Sequence, residues 1–173
     1  MKKYLYIAWA LVLVAILGVT GFFVAKKVFV PKEVHYHAGF VVFENNKKKD
    51  FSDFKYMSVK PCGEHKEDIT DAELQDQKAH LHDNVGDVLH THREGARWKD
   101  LFTNLKYSME YSKTTAYING QEVENWQNQP IQPYQSLIIF IGENDKKHLK
   151  EAVKKNHIQL IEKKSENCGS GTH

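Results

Sequence analysis

Sulfur-containing residues are scarce in this 173-residue chain, which holds only 2 cysteines and 3 methionines. Soft copper(I) is held by thiolate and thioether ligands, so this scarcity disfavours a copper(I) site. The cysteines leave two interpretations open. Cys62 and Cys168 either form one disulfide that ties the C-terminal tail to the domain, or serve as a metal ligand and a free tail thiol.

The chain also lacks a large excess of charge of either sign, because its formal net charge is only +2. From Lys32 onward, 20 basic residues face 22 acidic residues, since the remaining lysines lie in the N-terminal segment. A nucleic-acid-binding domain normally carries a basic stripe on a basic domain. We therefore expect no nucleic-acid partner.

Familiar catalytic motifs are missing as well. The sequence contains no His-Glu-x-x-His helix, no nucleophile elbow and no phosphate-binding loop. Gly86, His90, His92 and Glu94 together resemble a cupin motif, although their spacings are shorter than in that family. A metal-dependent, cupin-like enzyme with Glu94 as general base is therefore kept as an alternative, but no catalytic residue is assigned.

One long hydrophobic run is present, because residues 4–25 contain no charged side chain over 22 positions. Such a run is long enough to cross a bilayer as a helix, and no A-x-A cleavage site follows it. We expect a retained membrane anchor over residues 1–27, with the C-terminal domain outside the cytoplasm. The predicted protein is thus a single-pass membrane protein that contacts the membrane through residues 4–25 and has a possible partner in a membrane complex.

The rest of the chain divides by composition. A linker over residues 28–34 contains Pro31, and an α+β domain is expected over residues 35–143. A basic amphipathic helix is expected over residues 144–164, with an apolar stripe of Leu149, Val153, Leu160 and Ile161. We expect this stripe to pack on the domain; the alternative is that the helix lies on an anionic membrane surface. The last stretch, residues 165–173, has the composition of a disordered tail.

Several short signals predict the elements of that domain. Residues 35–43 are rich in aromatic and β-branched side chains, which is typical of a central strand. Thr70 and Glu73 match a capping box ahead of a short helix over residues 71–77. Apolar residues at helical spacing predict a second helix over residues 96–107, which packs on the sheet.

The region 95–142 resembles the second half of a ubiquitin-like β-grasp domain of the sulfur-carrier kind. The resemblance rests on the helix GARWKDLFTNLKY, the hairpin signal Asn119-Gly120 and the closing strand SLIIFIG. It implies a mixed sheet of about five strands with one packed helix. The Gly-Gly tail of sulfur carriers is absent here, so their chemistry is not implied.

Three His-x-His pairs are the most informative feature. They are His35 and His37, His80 and His82, and His90 and His92. On a β-strand, residues i and i+2 point to the same face, so each pair presents two imidazoles side by side.

The last two pairs flank a turn whose register can be argued. A three-residue loop over residues 84–86 would place Gly86 in the left-handed conformation that such a loop favours. His80 then pairs with His90, which puts four imidazoles on one face and Leu81 and Leu89 on the other. We expect His35 and His37 to join them if their strand is a neighbour.

Imidazole is the commonest protein ligand for zinc and copper(II), and clustered imidazoles predict a transition-metal site. The sequence therefore predicts a metal-binding protein for capture, buffering or transfer of the ion. Asp83, Asp87 and Glu94 are candidate supporting carboxylates. Two alternatives use the same histidines: an acid-triggered switch, and a structural or interaction subunit without metal.

Overall fold

The computed structural model describes residues 31–58 and 69–165, together with Trp9, Val12 and Val14. The strands are β1 Glu33–Glu44, β2 Lys47–Lys48, β3 Val88–Arg93, β4 Thr114–Ile118, β5 Gln121–Glu122 and β6 Ser136–Ile141. The helices are α1 Asp71–Lys78, α2 Trp98–Asn104 and α3 Lys155–Ser165, with 3-10 turns at Phe54–Tyr56, Tyr111–Lys113, Trp126–Asn128 and Lys146–Glu151. All of these elements belong to the compact unit Glu33–His173.

The long strand β1 is the centre of a mixed sheet with the strand order β2-β1-β6-β4-β5, and β3 pairs with β1 as well. The first half of β1 pairs antiparallel with β3, from Glu33 opposite Arg93 to Gly39 opposite Val88, with a register shift between Glu33 and Tyr36. The second half pairs parallel with β6, from Gly39 opposite Ser136 onward. The prediction that residues 35–43 form a central strand is therefore confirmed.

Side chains of β1 alternate between two apolar layers. On one face, Ala38, Phe40 and Val42 join a core that includes Trp98, Leu101 and Phe102 of α2. On the other face, Val41 and Phe43 pack with Ile158 and Ile161 of α3. Burying one such side chain stabilises the fold by about 1.5–3 kcal/mol, and both layers depend on the same strand.

The helices begin and end where local chemistry requires it. Thr70 accepts a hydrogen bond from the backbone N–H of Glu73, whose carboxylate accepts from Thr70, so the predicted capping box before α1 is confirmed. α2 is shorter than the predicted 96–107, because Arg97 is extended and Lys106 adopts a left-handed φ of 51°. The predicted Asn119-Gly120 turn joins β4 to β5, with positive φ at both residues.

The predicted C-terminal helix over 144–164 is divided. A 3-10 turn covers Lys146–Glu151, Ala152 has a non-helical ψ of 135°, and only Lys155–Ser165 of this segment is α-helical. Val153 and Ile161 of the predicted stripe are buried, whereas Leu160 is exposed and Ile158 is buried instead. The packing of this segment on the sheet is confirmed, with a different set of apolar residues.

The prediction of a transmembrane architecture is corrected. Within the part of the chain that the structure describes, no helix is long and apolar enough to cross a membrane. α3, with 11 residues, is about 17 Å long, against a hydrocarbon core of about 30 Å. The predicted anchor over 4–25 falls almost wholly outside the described residues. The predicted single-pass membrane location is also corrected, because the described residues include no helix that could span a membrane. What the described residues form is a mixed α/β domain with one sheet and few helices.

Candidate metal centre

In the segment that carries two of the histidine pairs, the predicted pairing of His80 with His90 is confirmed. The backbone N–H of His80 donates to the carbonyl of His90 at 3.0 Å, and the N–H of His90 donates back at 2.9 Å. Leu81 and Leu89 are both fully buried in the core beneath α2. The histidines at alternate positions consequently lie on the other face of the sheet, which is the face that α3 covers.

The turn itself differs from the predicted loop over residues 84–86. Asp83 and Asn84 take the left-handed conformation, and the N–H of Val85 donates to the carbonyl of His82 at 3.1 Å. Gly86 has no left-handed φ. It is required for another reason: a Cβ there would lie 2.5 Å from the backbone nitrogen of Ser52.

Strand β1 brings the third pair to the same place. His37 lies directly opposite His90 in the β1–β3 ladder. The ring centroids of His37 and His90 are 3.9 Å apart, and those of His35 and His92 are 4.8 Å apart. The ring centroids of His80 and His92 are 5.3 Å apart.

All of the predicted histidines therefore form one contiguous cluster. The ring centroids of His82 and His90 are 3.6 Å apart, and those of His35 and His37 are 5.1 Å apart. The cluster extends from an exposed His35 through a half-buried His92 to His37 and His90, which are 0 % and 1 % exposed. One side of the cluster is thus open to solvent while the other lies inside the protein.

One subset has the geometry of a metal-binding group. One nitrogen from each of His35, His90 and His92 lies within 4.8 Å of the others, so this group can hold a metal ion. Around a tetrahedral zinc ion with bonds of about 2.0–2.1 Å, two ligand nitrogens are about 3.3 Å apart. The nitrogens would therefore have to approach one another for all three to bind one zinc ion.

Burial favours the neutral form of four imidazoles of the cluster, those of His37, His80, His90 and His92. It lowers the pKa of His37 from 6.5 to about 4, with a further contribution from neighbouring His35 and despite the opposing effect of Glu162. It also lowers the pKa of His92 to about 3, with help from His80. The pKa values of His80 and His90 are lowered too, again chiefly by loss of hydration. Neutral imidazole is the form that binds a metal ion.

Several ring nitrogens in the cluster are buried and have no hydrogen-bond partner among the described residues. These are Nδ1 and Nε2 of His37, Nδ1 of His90 and Nε2 of His92. A buried polar atom without a partner costs about 1–3 kcal/mol. A bound ion would accept the lone pairs of such nitrogens and remove part of that cost.

Two other histidines are held by contacts that fix which nitrogen carries the proton. Nδ1 of His80 donates to the carbonyl of Asp76 at 2.9 Å, and Nδ1 of His82 donates to the carboxylate of Asp83 at 2.6 Å. Each contact leaves the lone pair on Nε2. This is the usual support of a metal-binding histidine.

The other predicted carboxylates do not support the cluster in this way. Asp87 lies 3.2 Å from Nε2 of His157 on α3, and Glu94 is exposed in the turn after β3. Cys62 and Cys168 lie outside the described residues.

Sequence reasoning missed Glu162, whose carboxylate lies 3.6 Å from Nδ1 of His37. No local signal could have found it, because α3 meets β1 only through tertiary packing.

Comparison of the chain with protein-family models, with curated proteins and with solved structures finds no match. The β-grasp and cupin resemblances of the sequence accordingly gain no support from a relative. The chemistry of the cluster has to be argued from its own residues.

Proposed function

We propose that this protein binds a transition-metal ion, zinc or copper(II), through the histidine cluster. The observation that carries the proposal is the group formed by His35, His90 and His92, whose ligand nitrogens already lie within 4.8 Å of one another. Three neutral imidazoles and a water molecule are a common ligand set for an open zinc site. His37, His80 and His82 surround this group and are further candidate ligands.

The donor set supports zinc or copper(II) over other ions. The clustered donors are imidazole nitrogens, which suit both metals, whereas magnesium and calcium prefer oxygen ligands. At equal availability, copper(II) would bind more tightly than zinc by the Irving–Williams order.

Exposure of the cluster supports capture, buffering or transfer of the ion. His35 is exposed while His37 and His90 are buried, so an ion bound at His35 would lie between solvent and the inner nitrogens. An ion bound near an exposed ligand can exchange with solvent or with a partner. The alternative of a structural or interaction subunit without metal is less well supported, because the buried histidine rings offer little surface to a partner.

Elemental analysis of the full chain, purified without a histidine tag, tests this proposal. We expect zinc or copper in the wild-type protein and its loss when His35 and His92 are both replaced by alanine. A matched control replaces His148 and His157, which lie outside the cluster, and should keep the ion. A metal-free wild-type protein whose melting temperature does not change on titration with zinc or copper(II) would rule the proposal out.

A further inference from the structure

Glu162 lies beside the histidine cluster although it comes from the far end of the chain. We propose that Glu162 is the carboxylate that positions His37 as a ligand of the ion, an inference that rests on the proposed function. Its Oε1 atom is 3.6 Å from Nδ1 of His37. The Glu162 side chain is 26 % exposed and that of His37 is 0 % exposed, so the carboxylate keeps contact with water while it reaches a buried ring.

Helix α3 brings this carboxylate to the cluster by hydrophobic packing. Ile158 is fully buried and Ile161 nearly so, and both pack with Val41, Val88 and other apolar residues of the sheet. β1 places Val41 and His37 on the same face, since they are four residues apart on one strand. Glu162 follows Ile161 directly and therefore lies at the edge of the same contact.

Tyr134 holds the carboxylate in place. Its hydroxyl donates to Oε2 of Glu162 at 2.7 Å, which leaves Oε1 on the side of His37. The backbone N–H of Tyr134 donates to the carbonyl of His37 at 2.8 Å. Tyr134 thus ties Glu162 to the backbone of the residue whose ring the carboxylate faces.

The backbone of Tyr134 gives an independent reason to see this arrangement as functional. Tyr134 has a φ of 60°, a left-handed conformation that bulky side chains rarely adopt. Such strain persists where the surroundings require it, and it is concentrated at functional sites. Here it accompanies a residue that contacts both His37 and Glu162.

The chemistry of His37 explains what Glu162 would do. A neutral imidazole carries its proton on one nitrogen only, and within residues 31–58 and 69–165 neither nitrogen of His37 lies at hydrogen-bond distance from a partner. Donation from Nδ1 to Glu162 would leave the lone pair on Nε2 for the ion. The ring lies 5.1 Å from His35 and 3.9 Å from His90, so His37 is placed as a fourth nitrogen ligand. The negative charge of Glu162 would also offset part of the charge of a divalent ion.

Binding of the ion should then shorten the contact between Glu162 and His37 to a hydrogen bond. The same change would fasten α3 more tightly to the sheet. Backbone amides of α3 should accordingly exchange more slowly with solvent in the zinc-bound protein than in the metal-free protein.

Zinc affinity of the full-length protein, measured by competition with a chromophoric chelator, tests the role of Glu162. Glu162→Gln should bind zinc about 10–100-fold more weakly than wild type, as expected when a supporting carboxylate is removed. Tyr134→Phe should cause a smaller loss in the same direction. The matched control is Glu151→Gln, since Glu151 lies 2.7 Å from Nδ1 of His148 outside the cluster, and its affinity should equal that of wild type.

NMR of the imidazole nitrogens in the zinc-bound proteins distinguishes a role of Glu162 in positioning the His37 ring from an effect of Glu162 on the stability of the fold. In wild type, His37 should show a protonated Nδ1 in a hydrogen bond, and this signal should be lost or shifted in Glu162→Gln. Equal zinc affinity of wild type and Glu162→Gln would overturn the inference while leaving the proposed function intact. Weaker binding with an unchanged His37 signal would overturn it too, since Glu162 would then act only through the fold. A wild-type protein that binds no zinc and no copper(II) would instead overturn the proposed function itself.

Discussion

The imidazole rings of His35 and His92 stack on each other, with their centroids 4.8 Å apart and their planes 13° from parallel. They come from neighbouring strands, and together with His90 they form the group whose nitrogens can hold an ion. Two protonated imidazoles at this distance would repel each other, whereas two neutral imidazoles can share one ion. The contact therefore has direct consequences for metal binding and for pH dependence.

Zinc should raise the melting temperature of the wild-type protein but not that of the double variant His35→Ala, His92→Ala. A ligand that binds only the native state stabilises it by about 2.7 kcal/mol when its free concentration is 100 times its dissociation constant. Thermal unfolding with and without added zinc measures the shift. Equal shifts in the two proteins would mean that zinc binds elsewhere.

The metal-free protein should lose stability as the pH falls below about 6.5. Burial holds the pKa of His37 at about 4 and that of His92 at about 3, so the unfolded chain binds more protons than the native protein between these values and 6.5. The contribution of His37 and His92 to the free energy of unfolding is thus fully present above pH 6.5 and is lost progressively as the pH falls towards 3. Each such group contributes up to about 1.4 kcal/mol per pH unit in this window.

Urea unfolding of the chelator-treated protein at pH 7.5, 6, 5 and 4 would measure this loss. The variant His92→Gln removes one group with a lowered pKa, so its stability should fall less steeply with acid. A wild-type protein equally stable at pH 7.5 and pH 4 would contradict the burial of neutral imidazoles.

Gly86→Ala should destabilise the fold by about 1–3 kcal/mol, because the added Cβ would meet backbone rather than a side chain that can rotate. The obstructing atoms are the carbonyl carbon of Phe51 and the nitrogen of Ser52. Gly95→Ala is a useful comparison, since a Cβ there meets nothing within 4 Å and only the positive φ is unfavourable. Its cost should be about 1 kcal/mol. Urea unfolding at neutral pH compares the two, and a larger loss in Gly95→Ala would argue against the close approach at Gly86.

Thr70→Ala should lower the free energy of unfolding by about 1 kcal/mol, since it removes the N-cap of α1. Thr70→Ser keeps the hydroxyl and should retain most of the stability. Zinc affinity should not change, because the other end of α1 is held separately by the amide of Asn104, which donates to the carbonyl of Ala79 at 2.7 Å. A loss of zinc affinity in Thr70→Ala would show that the whole helix, and not only its last turn, supports His80.

Local chemistry was predictable from the sequence. The capping box at Thr70, the turn at Asn119-Gly120 and the pairing of His80 with His90 depend on residues close together in the chain. The strict alternation of strands then assigned the leucines to one face and the histidines to the other.

Long-range features were not predictable in the same way. Nothing local indicates that β1 pairs parallel with β6, or that α3 brings Glu162 to His37. The role of Gly86 was misjudged because the obstructing backbone at Phe51 and Ser52 lies far away in sequence. The hydrophobic run at 4–25 was interpreted from its length and composition alone, and the predicted membrane architecture is corrected by the lack of a spanning helix among the described residues.

The long strand β1 contributes to both the histidine cluster and the hydrophobic core. Its first half aligns His37 with His90, and its second half aligns Phe40 with Leu137 inside the core. Inserting or deleting one residue between these halves would turn the histidines away from their partners or the apolar side chains away from the core. We therefore expect changes of length between His37 and Phe40 to disrupt the cluster or the core, so variation of the cluster at this point of the strand has to proceed by substitution.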